Sequence, residues 1–223
     1  MPRNRLGIFV RSPVAGEVKT RLEPVLTAEQ ARDVYVAFIA DFVDRVRGSK
    51  YRPTVFLSGE RTRDLDAVID PKWPVVAQGT GDLGARLTAA FAHLLRNPGD
   101  RAVIVGSDSP DLPLAYLKRA FRVLKHRDVV LGPAVDGGYY LVGLRAPAPS
   151  VFRDIPWGSA NVLDATLDAI EREGLTLAVL PPWYDVDDAA SLRFLADVTR
   201  ARRLARQDPL RHCERALAAL SKG

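Results

Sequence analysis

Residues 102–113 of this 223-residue chain read AVIVGSDSPDLP: four apolar residues, a glycine, and two aspartates three positions apart, Asp108 and Asp111. A strand that runs straight into a carboxylate fixes it on rigid backbone. A divalent cation held there would neutralise charge on a departing phosphate. Asp108 follows the apolar run almost at once and is the candidate ligand. Asp111 stands beside the helix start at Pro113, where capping competes with ligation. A second acidic stretch, DVDDAASL at 185–192, crowds three aspartates into four positions at another helix start. Like charges this close repel unless a cation sits among them, although a helix dipole accommodates one or two. Within this stretch Asp187 is the candidate second ligand opposite Asp108. The expected ion is hard, Mg²⁺ or Mn²⁺, on carboxylate oxygens. One cysteine and three scattered histidines offer no cysteine-based zinc site and no histidine pair at ligand spacing.

Three further loops carry residue types suited to a phosphorylated ligand. RSPVAGEVKTRL (11–22) sets Arg11, Lys19, Thr20 and Arg21 around a Pro/Gly turn, a combination that suits nucleotide phosphates. It lacks the G-x-x-x-x-G-K-[ST] spacing of a Walker loop. QGTGDLGARL (78–87) places Gly79, Gly81 and Gly84 where backbone can approach a ligand before a helix. In it Gln78 can meet a base edge and Arg86 points back to the helix mouth, while Asp82 either caps the helix or lines the site. GPAVDGGYYLVGL (132–144) puts Asp136, Gly137 and Gly138 in a sharp turn between strands, a hairpin signal that competes with a binding role for Asp136. Tyr139 and Tyr140 alternate across the next strand, so at most one of them faces the site; Tyr139 is the candidate.

Alternating periodicities supply the elements that must hold these loops. Strands are expected at 6–10, 53–58, 74–77, 102–106, 128–134, 139–144 and 175–182. Helices are expected at 27–46, 63–69, 83–96, 113–125, 160–174 and 187–205, the first opened by a capping box of Thr27 and Gln30. Near-continuous apolar strands between helices predict an α/β fold, a mostly parallel sheet covered on both faces. Ligands of such sheets bind beyond the carboxyl ends of the strands, where all the loaded loops fall. One domain is expected over 1–205, with a helical tail over 206–223.

Composition is that of an ordinary soluble protein, with 47% hydrophobic and 26% charged residues. No run approaches the roughly 20 apolar residues of a membrane helix, and MPRNRLGIFV lacks the pattern of a signal peptide, so no membrane insertion and a cytoplasmic location are expected. The net charge of +5 is concentrated in RVRGSKYR (45–52) and RARRLARQDPLR (200–211). No nucleic-acid-binding motif accompanies either, which favours anionic small substrates over nucleic acid as partners.

The segments RSPVAGEVKTRL, QGTGDLGARL, VGSDSPDLP, GPAVDGGYYLVGL, FRDIPWGSANVL and DVDDAASL, in order over about residues 6–195, resemble the bacterial family DUF2064, also described as transferase-1 glycosyltransferases. That family is similar to the three-layer αβα GT-A (Rossmann-like) nucleotide-diphospho-sugar transferases and to the phospholactate guanylyltransferases. The resemblance implies that residues 11–21 wrap a nucleotide, that Asp108 and Asp187 contact the metal, and that DGGYY lines an acceptor or sugar subsite. It also draws attention to Trp157, which either stacks on a sugar or base or packs against the sheet. Two departures stand out: Arg11 where the family commonly has lysine, and Asp188-Ala189 in place of Thr-Pro. The leading expectation is a metal-dependent glycosyltransferase with a nucleotide-sugar donor and a small-molecule acceptor. The alternative is a nucleotidyltransferase using an NTP, in which Lys19 and Arg21 stabilise transition-state charge. A non-catalytic nucleotide-binding protein with a degenerate site is the third. The arginine-rich C-terminal helix leaves a homodimer open.

Overall fold

The computed structural model describes residues 3–220. A seven-stranded sheet forms its middle layer: β1 (Asn4–Arg11), β2 (Arg52–Ser58), β3 (Val75–Ala77), β4 (Arg101–Val105), β5 (Val129–Pro133), β6 (Tyr139–Leu144) and β7 (Leu177–Val179). The order across the sheet is β3-β2-β1-β4-β6-β5-β7. Every neighbouring pair is parallel except those of β6, which runs antiparallel to both β4 and β5.

The strands read as continuous apolar runs because both of their faces are covered. Leu6, Ile8 and Val10 of β1 pack on one side with α1 (Ala28–Val46), α4 (Leu114–Val123) and α6 (Ala189–Leu204). Phe56, Ile104 and Val142 point to the other side, against α3 (Leu83–Leu94) and α5 (Val162–Arg172). This is the expected three-layer α/β fold. A short helix, α2 (Arg63–Val68), links β2 to β3.

Local chemistry sets most boundaries. Thr27 and Gln30 form the anticipated capping box of α1, and Asp188 with Ser191 forms another at α6. Two expectations are corrected. Asp111 does not cap α4: its buried carboxylate accepts from Trp183 Nε1 (3.3 Å) and Tyr184 Oη (2.8 Å), and Pro113 occupies the cap position without a side-chain bond. The strand expected over 175–182 narrows to the three residues of β7, since Pro181 and Pro182 cannot donate to a ladder.

The expected C-terminal tail contains α7 (Arg211–Leu220), which packs on α1. Asp41, buried in α1, turns its carboxylate to the first turn of α7 and accepts from the backbone N–H groups of His212 (3.0 Å) and Cys213 (2.8 Å). A carboxylate at unpaired helix N–H groups both satisfies donors and complements the dipole. Burial, and then the nearby Asp41 charge, push the Cys213 thiol well above its ordinary pKa. Asp41→Ala strips both donors of their acceptor and is expected to cost about 1–3 kcal/mol. Cys213, buried in the wild type, should then react with a thiol reagent at a rate set by the opening of α7; an unchanged labelling rate would show that Asp41 does not hold the helix.

Candidate active site

The carboxyl ends of β1 and β4 deliver a loop and a carboxylate to the same point. After β1 the chain passes Gly16 (φ +80°) and reaches Lys19, whose backbone lies in the left-handed region at φ 52°, ψ 34°. That conformation costs a non-glycine residue about 1–3 kcal/mol and persists only where surroundings over-determine it. Here the flanking Val18 and Leu22 are buried, Leu22 N–H bonds the Lys19 carbonyl (2.8 Å), and the Lys19 side chain is only 4% exposed. Its ammonium lies 5.8 Å from the Tyr35 ring centre and 5.6 Å from that of Phe38. Nζ makes an ion pair with Asp108 Oδ1 and another with Asp187 Oδ1 at 2.7 Å. Burial alone would lower the lysine pKa, but the two carboxylates outweigh it and hold the group above the ordinary lysine range.

Both carboxylate loops are themselves fixed. Ser107 Oγ is 2.7 Å from Tyr35 Oη, which also accepts from the Arg11 N–H (3.0 Å) and thereby joins the β1 and β4 loops to α1. Burial, then the Asp108 charge, push that phenol up to about 12. The Asp108 carbonyl accepts from Val186 N–H (2.9 Å), tying the β4 loop to the acidic stretch. The three crowded aspartates separate into three roles. Asp188 caps α6, Asp187 meets Lys19, and Asp185 accepts from Ser109 Oγ (2.6 Å). The cation that such crowding demands is Lys19.

Asp185 escaped the sequence reading. Burial, reinforced by the charges of Asp108 and Asp187, pushes its pKa up to about 6, against the opposing Ser109 hydrogen bond and Lys19. Three aspartates in four positions were a signal for it, but burial, which ranks them, is not visible in sequence.

The Asp108–Lys19–Asp187 centre stands where two cavities meet. The first, about 570 Å³, is bordered by Arg11, Lys19, Arg86, Gly106, Asp108 and Asp187 among others. The second, about 460 Å³, shares Lys19, Leu83, Tyr139 and Asp187 with it and adds Arg21, Asp136, Gly138, Trp157 and Asp185. Asp108 and Asp187 turn half-exposed oxygens toward one point that a cation already shares. Two protein carboxylates with substrate phosphates and water completing the shell suit Mg²⁺, so the residues fit such an ion. Among the described residues no cluster of three or more ligating side chains forms a preassembled cage.

The remaining candidates distribute unevenly. Arg11 and Arg86 face the first cavity, Arg86 steadied by the Gly81 carbonyl (3.1 Å). Thr20 and Arg21 lie in a 3-10 turn, Thr20–Leu22, beside the second. Gln78 borders the first cavity, but its amide nitrogen donates to the Val10 (3.2 Å) and Phe56 (2.9 Å) carbonyls, leaving its oxygen for a ligand. Asp82 caps α3 through Ala85 N–H (2.8 Å). Gly81 (φ +93°) makes the turn before it. Gly84 is needed for packing: a Cβ there would lie 2.4 Å from the Phe152 carbonyl and 2.9 Å from Trp157 Nε1. Asp136 accepts from Gly138 N–H (3.0 Å) within the hairpin turn. Gly137 (φ +91°) brings that turn against Ala160. Tyr139 faces both cavities and meets Trp157 edge-on at 6.3 Å, while the Tyr140 hydroxyl turns away to the Pro181 carbonyl (2.9 Å).

The family described as "Uncharacterized protein conserved in bacteria (DUF2064)" matches residues 43–159. A 2-phospho-L-lactate guanylyltransferase of Halobacterium salinarum is 31% identical over 180 residues, covering 78% of this chain and 77% of that protein. One of Haloarcula marismortui is 33% identical over 129 residues, and the match spans just over half of each chain, 56%. A crystal structure of a "putative nucleotide-diphospho-sugar transferase" from Desulfovibrio desulfuricans G20 shares 30% identity and a TM-score of 0.88, covering 100% of this chain and 98% of that one. The synthetase of CMP-2-keto-3-deoxy-manno-octonic acid, solved with CTP, shares the fold at a TM-score of 0.52 and 10% identity, covering 90% of this chain and 99% of that one. The chain belongs to the DUF2064 family, and its relatives are transferases.

Asp185 gives the site a pH signature in metal-free protein. Its folded pKa of about 6 lies above the unfolded value near 3.8. The native state therefore holds the proton more tightly, and stability falls as pH rises from 4 to 6. The ionised form then costs about 3 kcal/mol at neutral pH by the same linkage. Asp185→Asn keeps an acceptor for Ser109 and should raise urea-unfolding stability at pH 7.5 in EDTA by about 1–3 kcal/mol, with no gain at pH 4. A gain equal at both pH values would rule out the ionisation.

Proposed function

We propose that this member of the DUF2064 family is a nucleotidyltransferase, moving a nucleoside monophosphate from a triphosphate to a small phosphorylated acceptor. The observation that carries the reading is the position of the Asp108–Lys19–Asp187 centre at the junction of two cavities. Arg11, Lys19 and Arg86 border the first and suit a triphosphate. Lys19 and Arg21 border the second and suit an anionic acceptor. Lys19, common to both, stands where the reacting phosphate would meet its nucleophile.

In this reaction an acceptor oxygen attacks the α-phosphorus in line. The bond from that phosphorus to the α,β-bridging oxygen breaks, and pyrophosphate leaves with the electron pair. An acceptor phosphate is an anion at neutral pH and needs no general base; among the described residues, neither cavity is lined by histidine or cysteine. Lys19 carries the charge stabilisation, since a cation buried beside the reacting group acts in low dielectric without reorganising. Ser107, Tyr35 and Val186 hold the loops that keep its two carboxylates in place. Asp108 and Asp187 would hold Mg²⁺ or Mn²⁺, which when bound offsets phosphate charge.

The guanylyltransferase relatives support both the nucleotidyl donor and the phosphorylated acceptor. They move this alternative ahead of glycosyl transfer, which the sequence put first. Glycosyl transfer stays as the second reading because the Desulfovibrio structure matches over the whole chain.

The test offers each of the four NTPs with Mg²⁺ and 2-phospholactate and follows pyrophosphate. Release that requires acceptor and metal together is expected, and Lys19→Ala should lower kcat about 10²–10³-fold. Cleavage of a nucleotide sugar, with no pyrophosphate from any triphosphate, would return the assignment to glycosyl transfer.

A further inference from the structure

A second basic cavity, of about 570 Å³, lies at the opposite end of the sheet, where β1 begins and α1 and α4 end. Arg45, Lys50, Lys118, Arg122 and Lys125 border it, and no acidic residue does among the described residues. Arg45 is spent internally, on Asp208 (2.8 Å) and the Pro110 carbonyl (2.7 Å). The other four have no ion pair among the described residues. The C-terminal dipoles of α1 and α4 account for a basic residue in each last turn, Arg45 and Arg122. They do not account for Lys50, beyond the end of α1, or for Lys118, in the middle of α4. Four like charges around one concavity repel one another, and a polyanion in their midst relieves that repulsion. Tyr51, stacked on buried Phe121 at 4.7 Å and 27°, gives the cavity an apolar wall.

We propose that this cavity binds a small molecule bearing a chain of phosphate groups, separately from the active site. β1 starts beside it at Asn4 and ends in the active cleft at Arg11. Seven strand steps put the two sites about 23 Å apart. One ligand therefore does not fill both.

Lysine acetylation mapped by mass spectrometry reads this site directly. Tripolyphosphate at millimolar concentration should slow modification of Lys50, Lys118 and Lys125 at least threefold relative to exposed Lys72, beyond the effect of chloride at equal ionic strength. Arg122→Glu should abolish protection of the three lysines while leaving the basal transfer activity unchanged. GTP and inorganic phosphate form two further arms. Protection by GTP and tripolyphosphate alike would show that the phosphate chain suffices, and stronger protection by GTP would add a nucleoside contact. Protection no greater than chloride gives, protection that survives Arg122→Glu, or protection by duplex DNA alone would each overturn the proposal.

Discussion

A single ammonium group, Lys19 Nζ, shared by Asp108 and Asp187, is the interaction on which the site depends. It joins three segments far apart in sequence: the loop after β1, the loop after β4 and the entry to α6. Lys19 is buried while both carboxylates are half-exposed, so each carboxylate offsets the cost of burying the ammonium and is itself partly solvated. The centre is also deliberately incomplete. Asp185 lies nearby but bonds Ser109, so the two carboxylates that share the ammonium both turn oxygens to solvent. A further positive charge fits that balance, as does a phosphate that brings its own counter-ion. The left-handed backbone of Lys19 places strain at the same residue, a coincidence expected at functional sites.

The sheet explains why these segments meet. Parallel β1 and β4 are neighbours and end at the same edge, so their following loops emerge side by side. Reversed β6 then returns beside β4, and its hairpin turn from β5 brings Asp136 and Gly138 to the same edge. The result is one cleft with two lobes, divided by Lys19, Asp187, Tyr139 and Leu83. In the proposed reaction a donor and an acceptor held in separate lobes would meet at the one place where the charges are concentrated, which is the positional part of a transfer.

Much of this was legible in the sequence, and the parts that were not share a physical cause. Alternating elements, the Thr27–Gln30 box and the loaded loops follow from local rules of period, capping and turn chemistry. The hairpin signal at Asp136–Gly138 also sets β6 antiparallel to β5, but its place beside β4 does not follow, because strand order is decided by long-range pairing. Asp111 and Asp185 show the same limit. Both stand in acidic motifs, yet tertiary burial sends Asp111 to Trp183 and Tyr184 and lifts Asp185 toward neutrality. Gly84 reads as a ligand-approach glycine in isolation, whereas the carbonyl of Phe152 is what excludes a side chain there. Lys19 was visible as one cation in a basic loop; only the fold reveals that it closes the acidic stretch 168 residues away.

The central claim is that Lys19 and the two carboxylates form the point where phosphate is received. The most direct measurement is a crystal structure with Mn²⁺ and a non-hydrolysable triphosphate analogue. The account predicts Mn²⁺ on Asp108 and Asp187, and Lys19 Nζ on a phosphate oxygen at the junction of the two cavities. Phosphates bound elsewhere, with Lys19 still bridging Asp108 and Asp187 and no ion beside them, would contradict it.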